Sequence, residues 1–131
     1  MKLLLDTHIW IWSLLEPRHL ASRVVKALRA PSNELWLSPI STWELLILVE
    51  KGRVVLDGEL DTWLAEARRR APMNEAPITH EIARESRRVD VPHEDPVDRF
   101  LGATARILDL TLVTADERLM RCRAFSVLPN R

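Results

Sequence analysis

The chain has 131 residues, 47% of them hydrophobic and 29% charged, with 19 basic and 19 acidic side chains that leave no formal net charge. A single domain of this size, spanning 1–131, buries roughly two thirds of its unfolded surface, so a core needs no covalent staple. Neutrality argues against a protein that coats nucleic acid through many phosphate contacts. The lone Cys122 excludes an internal disulfide and suits a reducing cytosol, and no apolar run approaches the ~20 residues of a membrane span.

From the start, Leu3-Leu4-Leu5 reads as a short buried strand, and Asp6 stands where a signal peptide would extend its apolar stretch. Ile9 to Leu15 predicts a helix that stops before Pro17. Leu20 to Ala30 predicts another, with Leu20, Val24, Val25 and Leu28 at helical spacing. Leu35 to Leu37 is a strand, and Pro39 to Lys51 a helix closed by Gly52. Leu60 to Arg70 is helical, Glu75 to Ile78 a strand, and Thr79 to Arg88 a helix with Thr79 as N-cap. Asp95-Pro96 opens a helix to Leu108, an N-cap residue followed by proline at the first helical position. Leu110 to Val113 is a strand, Asp116 to Arg121 a short helix and Phe125 to Leu128 a last strand. Short apolar strands alternating with amphipathic helices imply an α/β domain, a mostly parallel sheet of four or five strands covered on both faces. Sites in such sheets form beyond the carboxyl ends of the strands.

Four acids fall there. Asp6 follows the first strand, Glu44 lies early in the helix after the second, Asp98 starts the helix opened by Asp95-Pro96, and Asp116 follows the strand ending at Val113. Each has a capping alternative: Asp6 as a plain N-cap, Ser41-x-x-Glu44 and Thr114-x-x-Glu117 as capping boxes, Asp98 as a first-turn acid behind Asp95. Capping does not require all of them on one sheet edge, where they repel unless a cation sits among them. Oxygen donors without a Cys or His cluster select Mg²⁺ or Mn²⁺ over zinc. Such a site suits phosphodiester hydrolysis by metal-activated water.

Four blocks, Leu3-Leu4-Leu5-Asp6-Thr7-His8, Ser38-Pro39-Ile40-Ser41-Thr42-Trp43-Glu44-Leu45, His93-Glu94-Asp95-Pro96-Val97-Asp98-Arg99 and Leu112-Val113-Thr114-Ala115-Asp116, resemble the signature blocks of VapC-type PIN-domain toxins, in that family's order and over essentially the whole chain. The resemblance implies a PIN-like α/β/α sandwich and Mg²⁺- or Mn²⁺-dependent endoribonuclease activity. It further implies a VapB-type antitoxin partner, a homodimer that assembles further with antitoxin, and a cytoplasmic location. Asp6, Glu44, Asp98 and Asp116 match the family's metal-binding acids. Thr7, Asp95, Arg99 and Thr114 are candidates for supporting or substrate contacts, with helix capping the better-supported role of Asp95. His8 stands where many PIN domains have asparagine.

Arg99 has two readings, a contact to an RNA phosphate or partner carboxylate and a surface arginine paired with a nearby acid. Arg68-Arg69-Arg70 and Arg84 with Arg87-Arg88 read as solvated helical faces rather than RNA contacts. One of Trp10, Trp12 and Trp43 is expected to touch the antitoxin. Among the histidines only His8 is placed near the acids. Three alternatives compete: an Mg²⁺-binding phosphate-signalling receiver-like domain, a metal-independent ribonuclease, and a phosphatase. The first lacks a paired acid after strand one and a late lysine, the second lacks tyrosine and a His pair, and the third lacks Asp-x-Asp in Asp6-Thr7-His8.

Overall fold

A computed structural model describes residues 1–131. In chain order the elements are β1 (Lys2–Leu5), α1 (Thr7–Leu15), α2 (Ser22–Arg29), β2 (Glu34–Leu37), α3 (Pro39–Glu50), α4 (Leu60–Arg70), β3 (Asn74–Glu75), α5 (His80–Glu85), α6 (Pro96–Ile107), β4 (Thr111–Thr114), α7 (Glu117–Met120) and β5 (Val127–Pro129), with a 3₁₀ turn at Pro17–His19. All strand pairs are parallel, in the order β3-β2-β1-β4-β5. The chain steps outward from β1 through β2 to β3, then returns to the far side of β1 as β4. The topological switch point therefore lies between β1 and β4, where open α/β sheets bind their ligands.

Alternation along the strands builds two cores. Leu4 and Leu112 face Ile82, Leu101 and Leu119 from α5, α6 and α7. Leu3, Leu5 and Val113 face Ile9, Trp10, Val24 and Leu45 from α1, α2 and α3. Leu3, Leu4 and Leu5 are all fully buried, each worth about 2 kcal/mol of transfer free energy. This two-sided burial explains why β1 is an unbroken apolar run rather than an alternating one.

Helix ends follow local chemistry. Ser38 caps α3, accepting from Ile40 N at 3.1 Å, and Thr79 caps α5, accepting from Ile82 N at 3.2 Å. Gly52, at φ +70°, lets Arg53 N reach back to Leu48 O at 2.9 Å, a Schellman closure. Asp109 does the same for α6 at φ 54°, with Leu110 N on Ala105 O at 2.9 Å.

Three expectations are corrected. The strand expected over Glu75 to Ile78 is only Asn74–Glu75: Ala76 N still bonds Leu37 O, but Pro77 has no N–H to continue the ladder. The helix expected to reach Arg88 ends at Glu85. Ser41 forms no capping box; it is buried inside α3, and Ser38 takes the cap because Pro39 occupies the first helical position. No helix is long and apolar enough to cross a membrane.

Candidate active site

The carboxyl ends of β1 and β4 open into a cavity of about 270 Å³ lined by Asp6, Glu44, Asp95, Asp98 and Asp116, with His8 and Trp12 on its rim. The four sequence-predicted acids thus converge, and Asp95 joins them.

Asp6 sits at the N-cap position of α1 but makes no capping bond. Its Oδ2 instead accepts from Thr114 Oγ1 at 2.6 Å, while Thr114 Oγ1 accepts from Asp116 N at 3.0 Å. One buried hydroxyl therefore orients two of the acids across the β1–β4 switch point. Burial raises the Asp6 pKa and the Glu44 charge adds to the rise; the Thr114 bond and His8 oppose it. Thr7 Oγ1 donates to Ser41 Oγ at 2.9 Å in a buried contact. It thereby ties α1 to the helix carrying half-buried Glu44, rather than facing the cavity.

Asp116 caps α7, accepting from Arg118 N at 2.8 Å, and its Oδ2 takes Arg118 Nη2 at 3.1 Å. Thr114-x-x-Glu117 is accordingly not a capping box. Partial burial alone would raise the Asp116 pKa, but the Arg118 side chain, backbone and charge outweigh it and hold the group below its ordinary value.

Asp98 is the opposite case. Asp95 Oδ1 caps α6, accepting from Val97 N at 2.9 Å and Asp98 N at 3.4 Å. That cap fixes the first helical turn from which the Asp98 carboxylate projects. It is 9% exposed. Burial, then the charges of Asp6, Asp95, Asp116 and Glu44, push its pKa up to about 8.

His93 corrects the expectation that only His8 lies near the acids. Its Nε2 lies 3.2 Å from Asp98 Oδ2 yet is buried without a hydrogen-bond partner. Ligating atoms of His93, Asp98 and Asp116 fall within 4.8 Å of one another. The only signal was its position two residues before Asp95.

Arg99 corrects both expectations for it. It touches neither the cavity nor an acid, and it is 7% exposed. Its guanidinium donates to four backbone carbonyls of the α5–α6 connection: Ser86 at 2.7 Å, Val89 at 3.0 Å, and Val91 and His93 at 3.2 Å. The clamp thereby fixes the loop that presents His93. On α4 and after α5 the remaining arginines are exposed, with Arg69 paired to Glu66 and Arg87 to Glu94. Trp10 is buried and Trp43 is 51% exposed.

A divalent cation fits this donor set. Asp98, buried among Asp6, Asp95, Asp116 and Glu44, has no cationic side chain bonded to it, and a cluster dominated by carboxylate oxygens suits a hard cation.

The sequence matches the PIN domain family over residues 3–124. Ribonuclease VapC22 of Mycobacterium tuberculosis (strain ATCC 25618 / H37Rv) is 33% identical over 119 residues, covering 88% of each chain. The fold superposes on VapBC2 from Rickettsia felis, bound to a DNA fragment from their promoter, with a TM-score of 0.73 at 15% identity over 98% of each chain. It also superposes on DNA-bound VapBC from Salmonella typhimurium, with a TM-score of 0.70 at 17% identity over 100% of this chain and 99% of that one.

Proposed function

Because the chain belongs to the PIN domain family, we propose that it is an Mg²⁺- or Mn²⁺-dependent endoribonuclease, the toxin of a VapBC-type toxin–antitoxin pair. The observation that carries the reading is the convergence of Asp6, Glu44, Asp98 and Asp116 at one sheet edge, with Asp98 pushed up to about 8 by burial and by its acidic neighbours.

Asp6, Glu44 and Asp98 would hold the cation, with Asp116 contributing directly or through water. When bound there, a divalent cation lowers the pKa of water and neutralises charge on a phosphodiester. The protein's own part is preorganisation. Thr114 sets Asp6 and the backbone of Asp116. Arg118 keeps Asp116 ionised. Asp95 fixes the turn bearing Asp98, and Asp98 surrenders its proton as the site is filled.

The antitoxin reading has support beside the acids. A groove of about 450 Å³ is lined by Trp10, Trp43, Leu46, Leu64 and Met73 among others. Trp43 directly precedes Glu44, so a partner segment seated in the groove would reach the acids and could set a basic side chain against them. A homodimer that assembles further with antitoxin belongs to the same proposal.

The test is cleavage of a mixed structured RNA with Mg²⁺ or Mn²⁺ against excess EDTA, using wild type and Asp98→Asn. Cleavage requires metal and falls at least ~100-fold in the variant, the loss expected when a charge-stabilising group is removed. Cleavage that survives both treatments overturns the reading.

A further inference from the structure

The chain is neutral overall, but its charges are segregated at the site. RNA is a polyanion, and the cavity it must enter is lined by five acids. One or two cations offset part of that field; the rest of the strand needs positive charge nearby.

Directly beyond Asp116 lies a second, open cleft of about 330 Å³. Its walls are Arg118, Arg121, Cys122 and Arg123 from α7 and the following turn, facing Asp90 and Pro92 from the α5–α6 connection. The two cavities meet at one ion pair, since Asp116 lines the first, Arg118 lines the second, and they are 3.1 Å apart. Arg118 is thereby partly neutralised. Arg121 and Arg123 are exposed and make no ion pair, and Asp90 is the one acid in the wall. Guanidinium forks match phosphate oxygens bidentately. The cleft has no aromatic residue on which a base could stack, so it is built for backbone rather than for sequence. The other arginine clusters lack this placement: Arg69 is spent on Glu66, Arg87 on Glu94, and Arg68 lines the apolar groove.

We propose that the Arg118–Arg121–Arg123 cleft is a phosphate subsite that holds the RNA backbone flanking the bond to be cut. The proposal rests on the endoribonuclease reading and adds to it where the strand runs as it leaves the acids.

The test measures binding of a fluorescein-labelled single-stranded RNA of about 15 nucleotides by fluorescence anisotropy across a salt series. The non-cutting Asp98→Asn protein is compared with the same protein carrying Arg121→Gln and Arg123→Gln. Affinity should fall about tenfold, and the slope of log affinity against log salt should shrink by roughly 1.4, two single-strand phosphate contacts at about 0.7 each. The loss should be the same for RNAs of different sequence. Arg68→Gln with Arg70→Gln, in the same background, should leave both quantities unchanged. Equal affinity and slope with and without the cleft arginines would overturn the subsite, as would an equal loss from the α4 pair. Wild-type cleavage of the same RNA in Mn²⁺ separates the two ideas. If wild type cuts and the cleft arginines prove silent, only the subsite fails; if wild type neither cuts nor binds, the endoribonuclease reading fails with it.

Discussion

Asp98 and Arg99 are neighbours in α6, both ionisable and both nine-tenths buried, and the protein treats them in opposite ways. Arg99 spends four hydrogen bonds on the carbonyls of Ser86, Val89, Val91 and His93, and so becomes part of the scaffold. Asp98 faces other acids and a His93 nitrogen that is near but does not bond it. A buried charge costs free energy unless it is matched. The satisfied charge stabilises the fold, and the unsatisfied one marks where something from outside must bind.

The largest effect expected from breaking this contrast is on stability. Arg99→Met fills similar space but takes the donor from the Ser86, Val91 and His93 carbonyls, while Val89 O keeps its bond from Val91 N, so chemical denaturation should show a loss of about 3–5 kcal/mol. Arg99→Lys, with three donors, should fall between. A loss below ~1 kcal/mol in Arg99→Met would show that the loop does not depend on the clamp.

Asp98 should behave inversely. Its folded pKa, about 8, lies above its unfolded value near 4, so between those limits the folded chain holds a proton that the unfolded chain has released. Stability from this group is fully present below about pH 4 and is lost as pH rises through about 8. Buried Asp6 shifts in the same direction. Lowered Asp116 contributes the opposite slope, but only as pH falls below about 4. Metal-free wild type should therefore melt at progressively lower temperature from about pH 5 to about pH 8, and Asp98→Asn should melt higher and flatten that slope while losing cleavage. Mn²⁺ should raise the melting temperature more at high pH, since its site must first lose a proton. A wild-type slope that Asp98→Asn leaves untouched would place the proton elsewhere.

The two residues also differed in how legible they were. Asp98 was readable because its position is local: Asp95-Pro96 sets the helix start, and an acid three residues after the cap must lie in the first turn. The role of Arg99 depends on ten residues of irregular chain folding back over α6, which no periodicity encodes. His93 was obscured for the same reason. The failure at Ser41 has a simpler cause. Ser38-Pro39 carries the same cap-then-proline signal as Asp95-Pro96, and that signal outweighs the Ser41-x-x-Glu44 spacing. Parallel strands, two-sided burial and the quartet were legible because each follows from short-range pattern plus one topological rule. The arginine cleft was not, because its walls come from segments about thirty residues apart.

Gly102 sharpens the scaffold side of the comparison. A Cβ there would lie 2.9 Å from Phe125 Cε1 and 3.1 Å from Val91 Cγ2, and Val91 belongs to the loop held by Arg99. Gly102→Ala gains about 1 kcal/mol of helix propensity against about 1–3 kcal/mol of overpacking. The net loss, read by denaturation, should be about 1 kcal/mol, well below that of Arg99→Met. A stabilised variant would show that the loop yields freely and that Arg99 alone holds it.

Thr114 should give the smallest effect and the most specific one, because it joins scaffold to site. Its hydroxyl donates to Asp6 and accepts from the backbone of Asp116, so it belongs to neither side of the contrast alone. Thr114→Val keeps the shape of a fully buried side chain but leaves Asp6 without the donor that opposes its desolvation, so the Asp6 pKa should rise further. The expected result is about tenfold slower cleavage, the low end for losing a group that orients a metal ligand. Part of that loss should be recovered by raising pH or Mn²⁺, since both favour the ionised, metal-bound carboxylate. Thr114→Ser, which keeps the hydroxyl, should stay near wild type. If valine and serine lose activity equally, with no recovery by metal, Thr114 matters for packing β4 rather than for holding Asp6 in register with the other acids.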